Sequence, residues 1–245
     1  MDKVLVVIPT LEPDEHFIAY VNKLIAHGLE SILIVNDGSG PEYEAVFEEL
    51  ARQPQVSILS HAVNLGKGRG LKNALNHFLT MKNNGQYAGI ITVDSDGQHQ
   101  VEDVIKIRDA MLADPSKLYL GSRNFNQNGA PKKSSFGNKT ISFIFRVLYG
   151  KKIADTQTGL RGIPKPIVEK FVALKGEEFE YEMNMLIAAV LSNIEIEEIT
   201  IQTVYFDDNS QTNFRPVIDS VAIISLVVAA FFKHLTASLG SFLSN

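Results

Sequence analysis

Apolar and polar positions are arranged in blocks along the first half of the chain. A short apolar run leads into turn residues, and these lead into a stretch where apolar residues recur at helical spacing. Val4 to Ile8, Ser31 to Asn36, Val56 to Ser60, Gly89 to Val93 and Leu118 to Gly121 are short and rich in Val, Ile and Leu, which predicts buried strands. Phe17, Tyr20, Val21, Leu24 and Ile25 predict a helix that stops at Gly28. Leu71, Ala74, Leu75, Phe78 and Leu79 repeat that spacing after the third strand, as do Val104, Ile105, Met111 and Leu112 after the fourth. Such alternation predicts an α/β fold, a mostly parallel sheet with helices on both faces, with ligands expected beyond the carboxyl ends of the strands.

The second half has a different texture. Asn124 to Ala130 reads as a loop, Ile141, Ile144, Phe145 and Leu148 as an amphipathic helix, and Asp155 to Gly162 as a turn-rich stretch. A helix is predicted over Tyr181 to Ser192 and an alternating strand around Ile194 to Val204. Val221 to Phe232 is almost wholly apolar, but Asp219 and Lys233 bracket only 13 uncharged positions, too few for a spanning helix. Residues 1–220 are therefore read as one domain and 221–245 as an apolar appendage. That appendage is expected to lie at a membrane interface, to pack on a partner, or to begin a membrane region that continues past residue 245.

Composition narrows the function. With 28 acidic and 23 basic side chains the formal charge is −5, which argues against a general nucleic-acid binder. The seven basic residues between Arg123 and Lys152 meet no acidic one, leaving 16 basic against 28 acidic elsewhere. Beside an amphipathic helix, that cluster suits anionic lipid or a lipid phosphate, although a solvated basic face has the same composition. Zero cysteines exclude disulfides, thiolate nucleophiles and cysteine metal sites. The start of the chain lacks a signal-peptide pattern, so a cytosolic face is expected.

The sharpest chemical feature is Asp94-Ser95-Asp96-Gly97-Gln98, directly after a predicted strand. Two carboxylates at i and i+2 can turn onto one hard divalent cation, Mg²⁺ or Mn²⁺, with Gln98 adding a neutral oxygen and sites left for diphosphate. The same residues also suit an Asp/Gly-rich turn that caps the next helix. Asp37, in Asn36-Asp37-Gly38-Ser39, can accept hydrogen bonds from a base or ribose, or simply make an Asp-Gly turn. The first strand ends in Pro9-Thr10-Leu11-Glu12, so polar groups collect at three strand ends. In Asn64-Leu65-Gly66-Lys67-Gly68-Arg69-Gly70 close glycines would let a phosphate or base approach the backbone, with Lys67 supplying charge. The Walker and dinucleotide spacings are both missing, which removes the main support for an ATPase or a dehydrogenase. The six histidines are scattered and read as surface or packing residues.

Taken in order, Val7-Ile8-Pro9-Thr10, Val35-Asn36-Asp37-Gly38-Ser39, Asn64-Leu65-Gly66-Lys67-Gly68, Val93-Asp94-Ser95-Asp96-Gly97-Gln98-His99, Gly121-Ser122-Arg123 and Asp155-Thr156-Gln157-Thr158-Gly159-Leu160-Arg161 resemble the family 2 inverting glycosyltransferases. The polyprenyl-phosphate subgroup, which includes dolichol-phosphate mannosyltransferase, is the most similar. The resemblance implies the GT-A fold and a UDP- or GDP-sugar donor. It implies that Pro9, Thr10, Glu12, Asp37, Lys67, Asp94 and Ser95 serve the nucleotide and that Asp94, Asp96 and Gln98 serve the metal. Arg123, Lys132, Lys139, Ser142 and Arg215 would receive a polyprenyl phosphate. The chain departs from the mannosyltransferase pattern at Asn138, where an arginine would precede Ser142 by four residues. Asp96 and Arg123 would stabilise the leaving diphosphate. If the acceptor were a hydroxyl, Asp155 would be the base, with Glu180 and Glu182 behind it. Partners so implied are a nucleotide sugar, a lipid phosphate, a membrane surface at its cytosolic face, and a membrane-embedded partner domain or a second copy. The rival readings are transfer to a glycan hydroxyl, a sugar-1-phosphate nucleotidyltransferase and an inactive binding or scaffold module. The nucleotidyltransferase would need a glycine- and arginine-rich loop where Pro9 to Glu15 stands.

Overall fold

The structure is a computed structural model that describes residues 3–124, 132–202 and 216–243; for 132–136, 216–222 and 237–243 only the backbone is described. Its first strand, β1 (Lys3–Thr10), is buried from Val4 onward. A strand covered on both faces must be apolar almost without interruption, which is how this segment reads. β2 (Ile32–Asn36) and β3 (Val56–Ser60) extend the sheet in parallel on one side of β1, and β4 (Tyr87–Thr92) pairs parallel on the other. Beyond β4 lie β6 (Arg161–Pro164), β5 (Leu118–Arg123) and β7 (Ile196–Ile201), completing the order β3-β2-β1-β4-β6-β5-β7.

β6 runs antiparallel to both β4 and β5 and is the principal departure from the expected pattern. The turn-rich reading of Asp155 to Gly162 misses it because Arg-Gly-Ile-Pro has neither strand propensity nor alternation; burial between two strands makes it a strand. With β6 inserted there, residues 155–160 arrive at the same sheet end as the residues that follow β4 and β5.

Helices cover both faces. α1 (Phe17–Ala26), α2 (Glu44–Ala51) and α4 (Val101–Ala113) pack on Val4, Val6, Ile8, Ile32, Ile34 and Ile91. α3 (Lys67–Thr80), α5 (Lys132–Tyr149), α6 (Lys165–Phe171), α7 (Glu180–Leu191) and α8 (Pro216–Leu243) form the other layer, over Leu5, Val7, Leu33, Val35 and Ile90. The alternation of β1 side chains between the two cores follows from the strand's period of two.

The apolar tail forms most of α8. Ile223 and Val227 are buried in the second core, and the Tyr149 hydroxyl of α5 donates to the Val227 carbonyl at 3.0 Å, so α8 is docked on the domain. Among the described residues no helix is long and apolar enough to cross a membrane. The predicted loop at 124–130 and the strand end near Val204 lie, apart from Asn124, outside the described residues.

Candidate active site

The carboxyl ends of β1, β2, β4 and β5 meet the residues before β6. Asp94 and Asp96 follow β4, and Asp94 is the hub. Lys67, the first residue of α3, places its Nζ 2.7 Å from Asp94 Oδ1 and 2.9 Å from Glu182 Oε2. His99 brings its Nε2 to 3.2 Å from Asp94 Oδ2. The ammonium of Lys67 holds the Asp94 carboxyl well below the usual carboxylate range, overcoming burial, and His99 contributes. Lys67 is raised in turn by Asp94 and Glu182 against the effect of its own burial.

Asp96 has the opposite shift. Burial raises its pKa first and the neighbouring Asp94 charge adds to that, while the Gln98 N–H donating to its Oδ1 at 3.0 Å opposes it. A divalent cation beside both carboxylates would relieve this cost, and hard oxygen donors fit Mg²⁺ or Mn²⁺. Among the described residues no group of three or more His, Asp and Glu is placed to hold a metal. Further ligands would therefore come from Gln98, ligand oxygens and water.

Two of the histidines read as surface or packing residues are bonded to carboxylates at the strand ends. His99 is 4% exposed; its ring meets Asp94 and its carbonyl accepts the Tyr20 hydroxyl of α1 at 2.7 Å. Burial, followed by the charges of Asp96 and Asp94, raises Tyr20 and keeps it a donor. His61 follows β3, and its Nδ1 lies 2.7 Å from Asp37 Oδ1 while Asn73 Nδ2 lies 2.9 Å from its Nε2. With the Asn73 amide as donor, the ring proton is on Nδ1 and points to Asp37. Sequence spacing conceals both pairs, although His99 shares a turn with Asp94 and His61 stands at a strand end.

Asp37 is buried and partly committed. Beyond His61, its Oδ1 accepts the Leu65 N–H and its Oδ2 the Gly66 N–H, each at 2.9 Å. It therefore fastens the turn that leads into α3. The glycines of the Asn64 to Gly70 segment also have another use than the expected approach of a phosphate. Gly66 has φ 96°, and a Cβ there would lie 2.3 Å from the Glu177 carbonyl; at Gly68 it would lie 2.6 Å from the Glu178 carbonyl. Residues 177–181 fill that space. Pro9 and Thr10 are buried, Pro9 opposite Val35 in the sheet, whereas the exposed Glu12 donates its N–H to Ser39 Oγ at 2.9 Å.

On the β5 side Asp155 is fully buried and clamped by Arg123, with Nε 2.6 Å from Oδ2 and Nη2 2.9 Å from Oδ1. Both oxygens are thus engaged, and the guanidinium is held in one orientation. The other two acids named as bases are engaged too: Glu180 Oε1 accepts the Glu177 N–H at 2.9 Å, and Glu182 faces Lys67. Asn138, the position that departs from the expected arginine, is fully buried. Its Nδ2 donates to the Ala154 carbonyl at 2.8 Å, and its Oδ1 accepts the Thr156 N–H and hydroxyl at 3.1 Å. Glu198 of β7 accepts the Ala154 N–H at 2.9 Å, so the loop carrying Asp155 is tied down from two sides. Lys139 and the half-buried Ser142 follow on α5, with Lys139 exposed. Lys132 opens α5 but its side chain is outside the described set, as is all of Arg215.

A surface groove of about 430 Å³ is lined by Asn36, Ser39, Pro41, Phe47 and Ser60 and does not include Asp94 or Lys67. The site is defined by its side chains.

A mostly parallel sheet with one antiparallel strand, carrying paired carboxylates after β4, is the GT-A architecture of nucleotide-sugar-dependent glycosyltransferases. Residues 6–171 match the Glycosyl transferase family 2 model, and the chain belongs to that family. It is 27% identical over 226 residues to the UDP-N-acetylglucosamine–dolichyl-phosphate N-acetylglucosaminyltransferase of Methanococcus voltae, covering 83% of this chain and 87% of the relative. It is 25% identical over 209 residues to the polyprenol monophosphomannose synthase of Mycolicibacterium smegmatis, covering 81% of this chain and 76% of the relative. Among solved structures, S. aureus TarS 1-349 in complex with UDP-GlcNAc is similar in fold, with a TM-score of 0.57 at 15% identity. That match takes in 93% of this chain and 66% of the TarS chain.

Proposed function

We propose that this glycosyltransferase moves a hexose, with inversion, from a nucleoside diphosphate sugar to a polyprenyl phosphate at the cytosolic membrane face. The observation that carries the choice of acceptor is that each acid named above as a base already has a partner in the protein. Asp155 is bound to Arg123, Glu182 to Lys67 and Glu180 to the Glu177 backbone. A hydroxyl acceptor needs a free base within reach, whereas the oxygen of a lipid phosphate is already anionic. The names of the two relatives point to the same acceptor class.

In this reading Thr10, Glu12, Ser39 and the second lone pair of Asp37 Oδ2 orient the nucleoside, with Pro9 as the floor beneath them. Asp94, Asp96 and Gln98 would hold Mg²⁺ or Mn²⁺, which would supply positive charge to the diphosphate oxygens; Ser95 is in the same turn. Lys67 adds positive charge next to the departing group. Arg123, held in place by Asp155, contributes its positive charge on the acceptor side, and Lys139, Ser142, Lys132 and Arg215 are assigned to the same role.

Membrane attachment is supported by the outer face of α5, where Phe143 and Val147 are 66% and 63% exposed beside exposed Lys139 and Arg146. On α8, Phe232 and Leu235 are exposed as well. Apolar side chains among cations suit an anionic bilayer surface.

The test supplies purified protein and Mn²⁺ with labelled UDP- or GDP-sugars and either polyprenyl phosphate or an oligosaccharide. Label should enter the lipid fraction, and binding to anionic vesicles should fall in Phe143→Ser/Val147→Ser. Product on the oligosaccharide alone overturns the acceptor; no turnover of any donor overturns the enzymatic reading of the site.

A further inference from the structure

We propose that Lys67 is a resident counter-cation of Asp94, and that Glu182 is the seat to which its ammonium withdraws when a divalent cation takes up the Asp94 carboxylate. The proposal rests on the reading of Asp94 and Asp96 as metal ligands and adds a competitor built into the protein.

Lys67 Nζ stands between two acids at nearly equal distances, 2.7 Å from Asp94 Oδ1 and 2.9 Å from Glu182 Oε2. An ammonium and a divalent cation on one carboxylate oxygen repel strongly in a partly buried setting. One of the three groups has to yield. Asp94 is poorly able to do so: its carboxylate lies against Gly159, where a Cβ would be only 2.2 Å from Oδ2, and the same Oδ2 is held by His99. Lys67 is the flexible member, with a stem that has only to shift its head from one acid to the other.

Glu182 is prepared to receive that head. Its Oε2 already faces the ammonium, and its Oε1 is buried without a hydrogen-bond partner. A buried acceptor left unsatisfied is costly, and the withdrawn ammonium could satisfy it. The nearest other cation is Arg161, whose Nε lies 3.8 Å from Glu182 Oε1 but donates instead to the Thr158 carbonyl, while Nη1 donates to the Glu182 carbonyl. Phe179, with its ring centroid 5.7 Å from Lys67 Nζ, flanks the path. The metal-free pair thus keeps Asp94 ionised and pointed in place, and Glu182 sets how readily Asp94 is released.

The readout is Mn²⁺ affinity of the full chain without donor, followed by the electron paramagnetic resonance of free Mn²⁺. Lys67→Met should tighten binding on the order of tenfold. Glu182→Gln should weaken it several-fold in the wild-type background, and most of that loss should disappear in the Lys67→Met background. Unchanged or weaker binding in Lys67→Met overturns the proposal. So does an equal loss from Glu182→Gln in both backgrounds, because that would be simple through-space attraction by Glu182. Circular dichroism checks the fold, and Lys67→Gln replaces Lys67→Met if the latter does not fold. Absence of Mn²⁺ binding at millimolar concentration in both wild type and Lys67→Met would overturn the metal reading itself.

Discussion

Gly159 offers a direct test of how the paired carboxylates are positioned. Its φ is outside the positive range, so alanine is acceptable to the backbone. The obstacle is Asp94, since the new Cβ would stand 2.2 Å from Oδ2 and 2.4 Å from Oδ1, where ordinary contact begins near 3.4 Å. The loop cannot easily recede, because Thr92 Oγ1 donates to the Gly159 carbonyl at 2.7 Å. The carboxylate must shift by about 1 Å, which is enough to disturb its bonds to Lys67 at 2.7 Å and His99 at 3.2 Å. Loss of one charge-assisted bond costs about 1.5–3 kcal/mol. A displacement of that size at a reacting centre costs about 100-fold in rate. Gly159→Ala should therefore lower the unfolding free energy in urea by about 2 kcal/mol and kcat/KM by about 100-fold. Gly85→Ala, with no atom within 4 Å of its Cβ and ordinary φ, is the control and should be neutral. In an Asp94→Ala background the stability cost of Gly159→Ala should vanish. An equal cost in that background, or activity within about twofold of wild type, would refute the steric account.

Arg123→Ala should cost on the order of 3 kcal/mol in urea unfolding by leaving a buried carboxylate unpaired, and Arg123→Ala/Asp155→Asn should recover over half of it. Asn138→Ala should lose about 2 kcal/mol, since three hydrogen bonds end on that buried amide. Asn138→Arg should be worse, because a guanidinium does not fit the same place; a stable, more active Asn138→Arg would show that position to be a phosphate site after all. Burial raises the Tyr149 phenol from its ordinary value of 10.0 to about 12. Between those values the unfolded chain ionises this phenol while the folded one keeps its proton, so stability should fall as pH rises through that window. Tyr149→Phe should make that limb shallower in unfolding curves taken from pH 9 to 12, the rest of the slope belonging to Tyr20, Tyr119 and Tyr181, which are raised as well.

Strands covered on both faces were legible because nothing but apolar residues suits them, and Val4 to Ile8 and Gly89 to Val93 therefore stand out. β6 was hidden because Arg161, Gly162 and Pro164 owe their strand conformation to neighbours far along the chain. The pair Asp94 and Asp96 was visible because its two acids stand two positions apart just after a strand. His61 and His99 were not visible, since their partners are chosen by the fold: the Asp37–His61 pair spans 24 positions. The glycines around Lys67 misled for the same reason, as the residues filling their open faces lie more than 100 positions away, at Glu177 to Tyr181. Asn138 reads from the sequence only as a residue in place of an expected arginine; the structure shows it fastening Ala154 and Thr156.

The insertion of an antiparallel β6 beside β4 also bears on how the enzyme can be re-engineered. Thr92 stands opposite Arg161, the Gly159 carbonyl takes the Thr92 hydroxyl, and the missing side chain of Gly159 makes room for Asp94. The two loops that leave these strands occupy one volume although more than sixty positions separate them. Neither can be transplanted from a relative alone. The smallest portable unit is the β4–β6 pair with both loops, and a chimera that divides it would inherit half of a fitted joint.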